Sequence, residues 1–421
     1  AIRGTSAVPN KFWDSRSDGM WTPPSPPIEL DSPSQDLARD LQARFGEAIR
    51  PEPQRCDFPT FIVPKSHVKD VLRFLNSQAT PRFQRLDDLT AIDESARRKR
   101  ELFPDFTLVY HLLSFDPAAR LRLKVPLSGP DPTADTVTDI WPSANWYERE
   151  VYDLLGVRFK GHPNLKRLIM PPEWEGHPLR KNYPGRATEM PPYTLADAKK
   201  NQPIDGGVYV EKYGRRRQLI LNIGPHHVST HGLIRYIVTL DGEEITSMDI
   251  DIGYHHRGVE KIGERQTWHQ FIPYAARVDY LAGAANDLPY VMAVETLAGI
   301  KVPERAQVIR VMLSELFRLS NHLVWLGTYA HDVGAMAPNF YVFREREMIM
   351  DIVELITGGR LHPSWFRIGG VAADLPEGWK ELVDDFVKVF PRRLDEYESL
   401  VRKNPIFKAR TRGIGRLTLE D

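Results

Sequence analysis

Residues 303–326 read PERAQVIRVMLSELFRLSNHLVWL. Apolar side chains recur in this stretch every three or four residues, namely Ala306, Ile309, Leu313, Leu316, Leu323 and Leu326. This spacing predicts one long helix with an apolar face. Pro303 suits the first turn of that helix, because a backbone N–H there has no partner within the helix.

Two more helices are predicted downstream. Residues 343–357 form one of them, which stops at Gly358–Gly359 because glycine readily ends a helix. The next helix carries Leu382, Phe386, Val389 and Phe390 and is expected to be interrupted at Pro391. Beyond residue 256 the chain therefore reads as a mostly helical bundle.

Strands precede this bundle. Residues 218–223, 233–240 and 245–250 are rich in β-branched and aromatic residues, and Asp241–Gly242 is a strong hairpin turn between the last two. A β hairpin is thus expected at the start of the helical domain.

The first half of the chain mixes both kinds of element. A helix capped by Ser66 and strands at 106–113 and 121–125 are predicted. Apolar and polar residues alternate along the second strand, as expected of a strand with one face exposed to solvent. A further helix should end at Gly156, and its spaced apolar residues are Ala144, Tyr147, Val151 and Leu154. The predicted class is α+β, with a small α+β domain followed by the bundle.

Composition suggests where the domains end. Residues 1–35 are rich in Pro, Ser and Asp and read as an extended arm. Residues 36–184 form the first domain, 185–216 are a linker with a Gly206–Gly207 pair, and 217–421 form the second domain.

Charge and cysteine content exclude several classes of protein. Lys plus Arg equal Asp plus Glu at 56 each, so a polyanion partner is not expected. The single cysteine, Cys56, excludes an internal disulfide and cannot hold an iron–sulfur cluster alone. No stretch of about 18 apolar residues occurs and the start lacks a signal-peptide pattern, so we expect a soluble, cytoplasmic chain.

Residues 224–232, Gly-Pro-His-His-Val-Ser-Thr-His-Gly, form a polar loop between predicted strands. His227 and His231 could bind zinc, but the metalloprotease pattern needs a helix and a Glu where Val228 stands. Structural hydrogen bonding and ligand or proton chemistry are the other two interpretations, and the residues alone leave all three open.

Several strings resemble one family. Asn145-Trp-Tyr-Glu-Arg-Glu-Val-Tyr-Asp-Leu-Leu-Gly156 and the segments 161–167 and 176–181 resemble the 30-kDa-type subunit of proton-pumping NADH:quinone oxidoreductase (complex I). Asp251-Ile-Gly-Tyr-His-His-Arg-Gly258 and the segments 288–300, 310–316 and 366–371 resemble its 49-kDa-type subunit. The strings run in the order of the fused bacterial form that joins both subunits, and the resemblance covers about residues 36–421.

The 49-kDa-type family is itself similar to the large subunit of [NiFe] hydrogenases, which implies a hydrogenase-like bundle. Asp279 and Ala282 stand where a hydrogenase has a metal-binding Cys-x-x-Cys pair, so no thiol holds nickel or iron there. The resemblance implies a quinone site in the vacated cavity, with Tyr280 and His231 as proton donors, Asp332 orienting His231, and His227 also contacting quinone. Tyr and His suit this role because a reduced quinone must gain protons at its carbonyl oxygens.

The resemblance further implies that His362 and Arg257 face a [4Fe–4S] cluster held by an adjoining subunit and tune its potential. This chain would bind no metal or cofactor itself, and its partners would be quinone, other peripheral-arm subunits and membrane-arm subunits. Its expected location is the cytoplasmic face of the bacterial inner membrane. No nucleotide-binding fingerprint occurs, in agreement with NADH binding elsewhere.

Two alternative functions stay open at this point: a non-catalytic assembly scaffold, and a hydrogenase-like large subunit without its metal site. The family's chains continue past the position of Asp421, so a partial chain or a shortened relative is expected. The first domain is predicted to be a docking module in which Glu148, Arg149 and Glu150 hold neighbouring subunits or the second domain. Trp268, Trp325 and Trp365 are predicted to be core residues.

Overall fold

A computed structural model describes residues 32–52, 59–97, 103–172, 174–185, 208–210, 217–227 and 232–418. The chain divides into two compact units. The first takes in the described parts of 1–92, 106–128 and 137–142, and the second those of 93–105, 129–136 and 143–421. Both contain helices and strands, which confirms the α+β class. Nearly all of the predicted arm and most of the predicted linker lie outside the described residues. The part of the linker at 208–210 forms a strand that pairs with 217–219, so the linker prediction is wrong there.

The first unit is built on a five-stranded mixed sheet of order β1-β2-β5-β4-β3. Its elements are α1 (Ser32–Phe45), β1 (Arg50–Glu52), β2 (Thr60–Ile62), α2 (Val68–Ser77), β3 (Arg85–Asp93), β4 (Phe106–Phe115) and β5 (Ala118–Leu127). The predicted pairing of β4 with β5 is confirmed, with Tyr110 opposite Leu123. Along β5 every second side chain is buried, so the predicted wet face is confirmed as well.

The start of α2 differs from the prediction. Ser66 lies within a 3-10 turn, Lys65–His67, and the N-cap is His67, whose side chain makes no capping bond. Burial of Val68, Val71, Leu72 and Leu75 stabilises this helix instead.

The second unit begins with short strands around one helix. Strands β6 (Thr133–Asp135) and β7 (Arg158–Lys160) pair in parallel on either side of α3 (Ala144–Leu155) in the sequence. Gly156 ends α3 in the left-handed conformation, as predicted.

A four-stranded antiparallel sheet follows, of order β13-β12-β9-β8. Its strands are β8 (Val208–Val210), β9 (Arg217–Ile223), β12 (Arg235–Asp241) and β13 (Glu244–Asp251), and the two-residue strands β10 (His226–His227) and β11 (Gly232–Leu233) pair separately. The predicted hairpin is confirmed, but its turn is Gly242–Glu243, one residue later, because Asp241 still pairs with Glu244 across a bulge at Thr239/Leu240.

Helices form the rest of the unit, as predicted. They are α4 (Val259–Gly263), α5 (Trp268–Ala275), α6 (Gly283–Ala298), α7 (Glu304–Asp332), α8 (Ala337–Thr357), α9 (Trp379–Tyr397) and α10 (Pro405–Thr411), with a small hairpin of β14 (Phe366–Arg367) and β15 (Gly370–Val371) before α9. The buried faces of α6, α7, α8 and α9 share one apolar core.

Three helix boundaries differ from the prediction. Pro303 is the N-cap of α7 with an extended backbone, one residue before the first turn. Helix α8 begins six residues earlier than predicted, at Ala337. Helix α9 continues through Pro391, so the predicted interruption is wrong. Its ring leaves the carbonyl of Val387 without a helical donor, and that turn is exposed to water, which can supply one.

The prediction that three tryptophans belong to the core is wrong for two of them. Trp268 and Trp325 are 49% and 56% exposed, whereas Trp365 packs against the core. Within the part of the chain that the structure describes, no helix combines the length and apolarity needed to cross a membrane.

Candidate functional site

The second unit contains a cavity of about 490 Å³ at the end of the helical bundle. Five segments form its wall: the loop after β13, the start of α4, helix α5, the loop between α5 and α6, and the loop after α8. Its lining residues are Tyr254, His255, His256, Arg257, Val259, Glu260, Phe271, Arg277, Val278, Tyr280 and His362. Three predicted site residues, Tyr280, Arg257 and His362, therefore lie on one cavity.

Tyr280 presents its ring to this cavity. The side chain is 45% exposed, and its ring meets the ring of His255 edge to face, with centroids 5.6 Å apart. Tyr280 belongs to the loop before α6, which begins only at Gly283. A phenol that is held on one side and open on the other can donate its proton to a ligand.

Asp279 holds the loop that carries Tyr280. Its Oδ1 accepts a hydrogen bond from the Leu281 amide at 3.1 Å, and its Oδ2 accepts one from Asn321 of α7 at 3.2 Å. Asn286 donates to its carbonyl at 2.8 Å. These bonds engage Asp279 within the fold, so this residue acts as a structural anchor for the loop.

Two arginines, Arg257 and Arg277, and His362 also line the cavity. Arg257 Nη2 donates to the carbonyl of Arg277 at 2.9 Å, and Arg277 Nη1 donates to that of Pro273 at 2.7 Å. Burial lowers the pKa of His362, and the charges of Arg277 and Arg257 lower it further. The cavity wall is thus cationic, and His362 is neutral at neutral pH.

Of the other predicted residues, Asp332 is not among those that line this cavity. Asp332 is the last residue of α7, about 16 Å along the helix from Asn321. His227 lies in β10, where its backbone pairs with Gly232. His231 lies outside the described residues.

A buried carboxylate fixes the segment that packs against the loop after β13. Asp153 of α3 accepts hydrogen bonds from the amides of Leu168, Ile169 and Met170 at 3.0, 2.7 and 2.8 Å. The carbonyl of Ile169 faces Gly253, where a Cβ atom would lie 2.1 Å from the oxygen. The 168–170 segment therefore sets the position of the loop that carries Arg257.

Two residues of α3 for which a docking role was predicted are buried. Glu148 is fully buried and accepts a hydrogen bond from Thr136 at 2.6 Å. Arg149 is 6% exposed and donates to the carbonyls of Lys166 and Arg167. These hydrogen bonds join parts of the predicted first domain, and Arg149 also interacts with the charge of Asp249 in the predicted second domain. The docking role of Glu148, Arg149 and Glu150 stays a prediction.

Several cavity residues were not predicted. Arg277 and His255 occur inside sequence strings that carry the family resemblance. Their closeness in the sequence to Tyr280 and Arg257 could have identified them as candidate site residues. Phe271 belongs to an apolar helix face and carries no such signal. In the described ranges no group of three or more His, Cys, Asp or Glu side chains could hold a metal ion.

Comparison with known proteins gives a consistent result. Residues 61–189 match the family described as respiratory-chain NADH dehydrogenase, 30 Kd subunit, and residues 332–421 match the 49 Kd subunit. The chain is 51% identical to the C/D subunit of NADH-quinone oxidoreductase from Methylococcus capsulatus over 395 residues, covering 91% of this chain and 67% of the relative. It is 49% identical to the protein of the same name from Pseudomonas paraeruginosa, covering 94% and 68%. The chain thus spans about two thirds of the length of these relatives.

Proposed function

Because this chain belongs to the family of C/D subunits of NADH-quinone oxidoreductase, we propose that its cavity at Tyr280 forms part of the quinone-reduction site of the assembled enzyme. The chain is accordingly a peripheral-arm subunit of complex I, which passes electrons from NADH to quinone. The proposal concerns which residues of this subunit meet the quinone and what each does.

One observation carries the proposal: Tyr280, Arg257 and His362 come from three separate segments and meet on one cavity wall. Tyr280 would donate a hydrogen bond and then a proton to one quinone carbonyl. Its anchored loop fixes the backbone that carries the ring, so less freedom would be lost when the quinone binds.

His231 would serve the second carbonyl, with His227 beside it and Asp332 orienting it. The support for these three is the family resemblance of their positions together with their chemistry. The fold of 217–421 would follow that of a hydrogenase large subunit, with Asp279 and Ala282 in place of the metal-binding thiols.

His362 and Arg257 would face the [4Fe–4S] cluster of an adjoining subunit on the cationic side of the cavity. The electrostatic reason is that a cation near a cluster stabilises its reduced, more negative state. Other peripheral-arm and membrane-arm subunits would be the partners, and the location would be the cytoplasmic face of the bacterial inner membrane.

The test is Tyr280→Phe in the assembled complex. This change removes one donor and nearly preserves shape, so quinone reduction should fall by about tenfold or more while the complex still assembles. Electron transfer from NADH to an artificial acceptor upstream of quinone should stay normal.

Tyr290→Phe is the matched control. Its hydroxyl donates to the carbonyl of Trp268 at 2.7 Å and does not line the cavity, so its loss should affect stability and leave quinone reduction intact. Normal quinone reduction in the Tyr280 variant would reject the proposal, and loss of assembly would favour a scaffold role.

A further inference from the structure

A contact between two rings restrains the side chain of Tyr280 at the cavity. Its ring lies edge to face with the imidazole of His255, with 5.6 Å between the ring centroids and 83° between the ring planes. Among the described residues no group forms a hydrogen bond with the Tyr280 hydroxyl. The hydrogen bonds of Asp279 fix the backbone of this loop, but they do not restrict rotation of the Tyr280 ring. The orientation of that ring therefore depends on its neighbour.

The fold fixes the backbone at His255 without help from the ring that it contacts. The amide of His256 donates to the carbonyl of Gly253 at 3.0 Å, so residues 253–256 form a tight turn with His255 in its third position. Within the same turn, the Tyr254 hydroxyl donates to Asp251 at 2.8 Å. The imidazole is thus carried by a segment that is held from both sides.

A second connection joins the same two loops through the backbone. Arg257 Nη2 donates to the carbonyl of Arg277 at 2.9 Å, and this bond links the loop after β13 to the loop between α5 and α6. It lies three residues before Tyr280 and involves neither of the two rings. Loss of the His255 imidazole should therefore leave the two loops connected and release only the orientation of the Tyr280 ring.

Phe271, which also lines the cavity, is engaged elsewhere. Its ring packs on that of Tyr274 with centroids 5.8 Å apart and on that of Tyr290 with centroids 5.2 Å apart. These contacts hold Phe271 in place, so it should not replace His255 as the ring neighbour of Tyr280.

The orientation of Tyr280 matters for proton donation. An edge-to-face pair favours one mutual arrangement, because the electron-rich face of one ring attracts the positive edge of the other. Tyr280 is 45% exposed, so without this contact its ring has room to turn. Every orientation that turns the hydroxyl away from a bound quinone lowers the fraction of complexes that can react. A ring pair of this kind changes such a fraction by about two- to tenfold.

We propose that His255 is a positioning residue of the quinone site, whose ring keeps the hydroxyl of Tyr280 directed into the cavity. It acts through Tyr280 and does not itself touch the reacting atoms. The required feature at position 255 is a flat aromatic ring, and the imidazole nitrogens are dispensable. The inference rests on the proposed function, in which Tyr280 donates to the quinone.

The test measures quinone reduction by the assembled complex in two variants of His255. His255→Leu replaces the ring by an aliphatic side chain of similar size, so kcat should fall about two- to tenfold. His255→Phe keeps a ring that can meet Tyr280 edge to face, so kcat should stay within about twofold of the original value. Electron transfer from NADH to an artificial acceptor upstream of quinone should be normal in both variants.

Combination with Tyr280→Phe separates positioning from a structural role. If His255 acts only through the Tyr280 hydroxyl, His255→Leu should cause no further loss in a chain that already lacks this hydroxyl. A residue that merely supports the fold would lower kcat by the same factor in both chains. His322→Leu is the matched control, because it makes the same change at an exposed histidine of α7 that does not line the cavity. It should leave kcat unchanged.

A second measurement does not depend on turnover. In the full chain with ¹³C-labelled tyrosine rings, the signals of Tyr280 are assigned by their loss in Tyr280→Phe. They should shift in His255→Leu, because the ring current of the imidazole is lost, and they should not respond to His322→Leu.

Three results would overturn the role of His255: a normal kcat in His255→Leu, an equal loss in His255→Phe, or unchanged Tyr280 signals in His255→Leu. A full further loss in the Tyr280→Phe chain would assign His255 to the fold instead. Normal quinone reduction in Tyr280→Phe alone would reject the proposed function, and the ring signals would still show whether His255 orients Tyr280.

Discussion

At the scale of single residues, Asp287 is a carboxyl group that the fold holds in its neutral form. Its pKa in the folded chain is about 7, whereas the ordinary value is 3.8. The folded state therefore binds the extra proton, and stability falls as pH rises through the interval between these two values. Above about pH 7 this loss is complete.

Asp287→Asn should remove this pH dependence. Relative to the original chain, the variant should gain about 2–3 kcal/mol in free energy of unfolding between about pH 5 and about pH 8. Urea unfolding of both chains at the two pH values measures the difference, and all other titrating groups are shared. A constant difference between the chains would mean that Asp287 is ionised throughout.

Gly253 is the residue at which backbone conformation matters most beside the site. Its φ is +99°, and any Cβ would meet the carbonyl of Ile169. Gly253→Ala should therefore cost about 2–4 kcal/mol, since the clash is with backbone that Asp153 holds in place.

Gly258→Ala provides the comparison. Its φ is +62°, but a Cβ there meets nothing within 4 Å, so only the conformational cost of about 1–2 kcal/mol is expected. Thermal or urea unfolding measures both variants. Equal losses would show that the contact with Ile169 adds nothing.

At the scale of elements, a buried ion pair fastens the β14–β15 hairpin to α6 and α7. Arg310 donates to the carbonyls of Arg367 and Gly370 at 2.8 and 2.9 Å while it holds Glu295. Arg310→Met should cost about 3–5 kcal/mol, because it leaves the Glu295 charge buried and unpaired.

An exposed ion pair formed by another arginine of α7 is the control. Arg305 and Asp374 are each 64% exposed, so Arg305→Met should destabilise the chain far less than Arg310→Met does. Urea unfolding compares the two, and hydrogen exchange at the Gly369 amide reports on the hairpin itself. Similar costs in the two variants would contradict the anchoring role of Arg310.

Periodicity in the sequence predicted those elements whose apolar face is continuous. The start of α7 was predicted to within one residue for this reason. The first turns of α8 were missed because Phe340 is 69% exposed, so its apolar character does not mark a buried face. At Pro391 a break in the helix was predicted where none occurs, because an exposed helical turn tolerates the missing N–H of proline.

The residues of the candidate site could not be predicted from periodicity. Arg257, Tyr280 and His362 lie on three loops up to about a hundred residues apart, and helical or strand spacing cannot bring loops together. Family resemblance supplied these residues. Asp287 was missed altogether, because a lone acid in a helix usually indicates a solvated face.

At the scale of the whole enzyme, the proposed position of His362 and Arg257 beside a [4Fe–4S] cluster of an adjoining subunit can be tested through the midpoint potential of that cluster. His362→Met should lower the midpoint potential of that cluster near neutral pH and flatten its slope against pH. Arg257→Met should lower the potential and leave the slope, because arginine does not titrate in this range.

Redox titration of the cluster's paramagnetic signal in the assembled complex, at several pH values, measures both quantities. His322→Met, which alters an exposed histidine in the middle of α7, is the control and should change neither. An unchanged slope in the His362 variant would mean that the proton linked to cluster reduction resides elsewhere.

The contacts between residues 166–181 and 249–264 also have a consequence for synthesis on the ribosome. Lys261 donates to the carbonyl of Arg180 across 81 positions of the chain, and Lys181 pairs with Glu264. At about 5–20 residues per second, translation needs about 4–16 s to supply the later partners. During that delay residues 166–181 have been synthesised but their contact partners in residues 249–264 have not. Slow codons between the two segments should lengthen this exposure and increase the demand for chaperones.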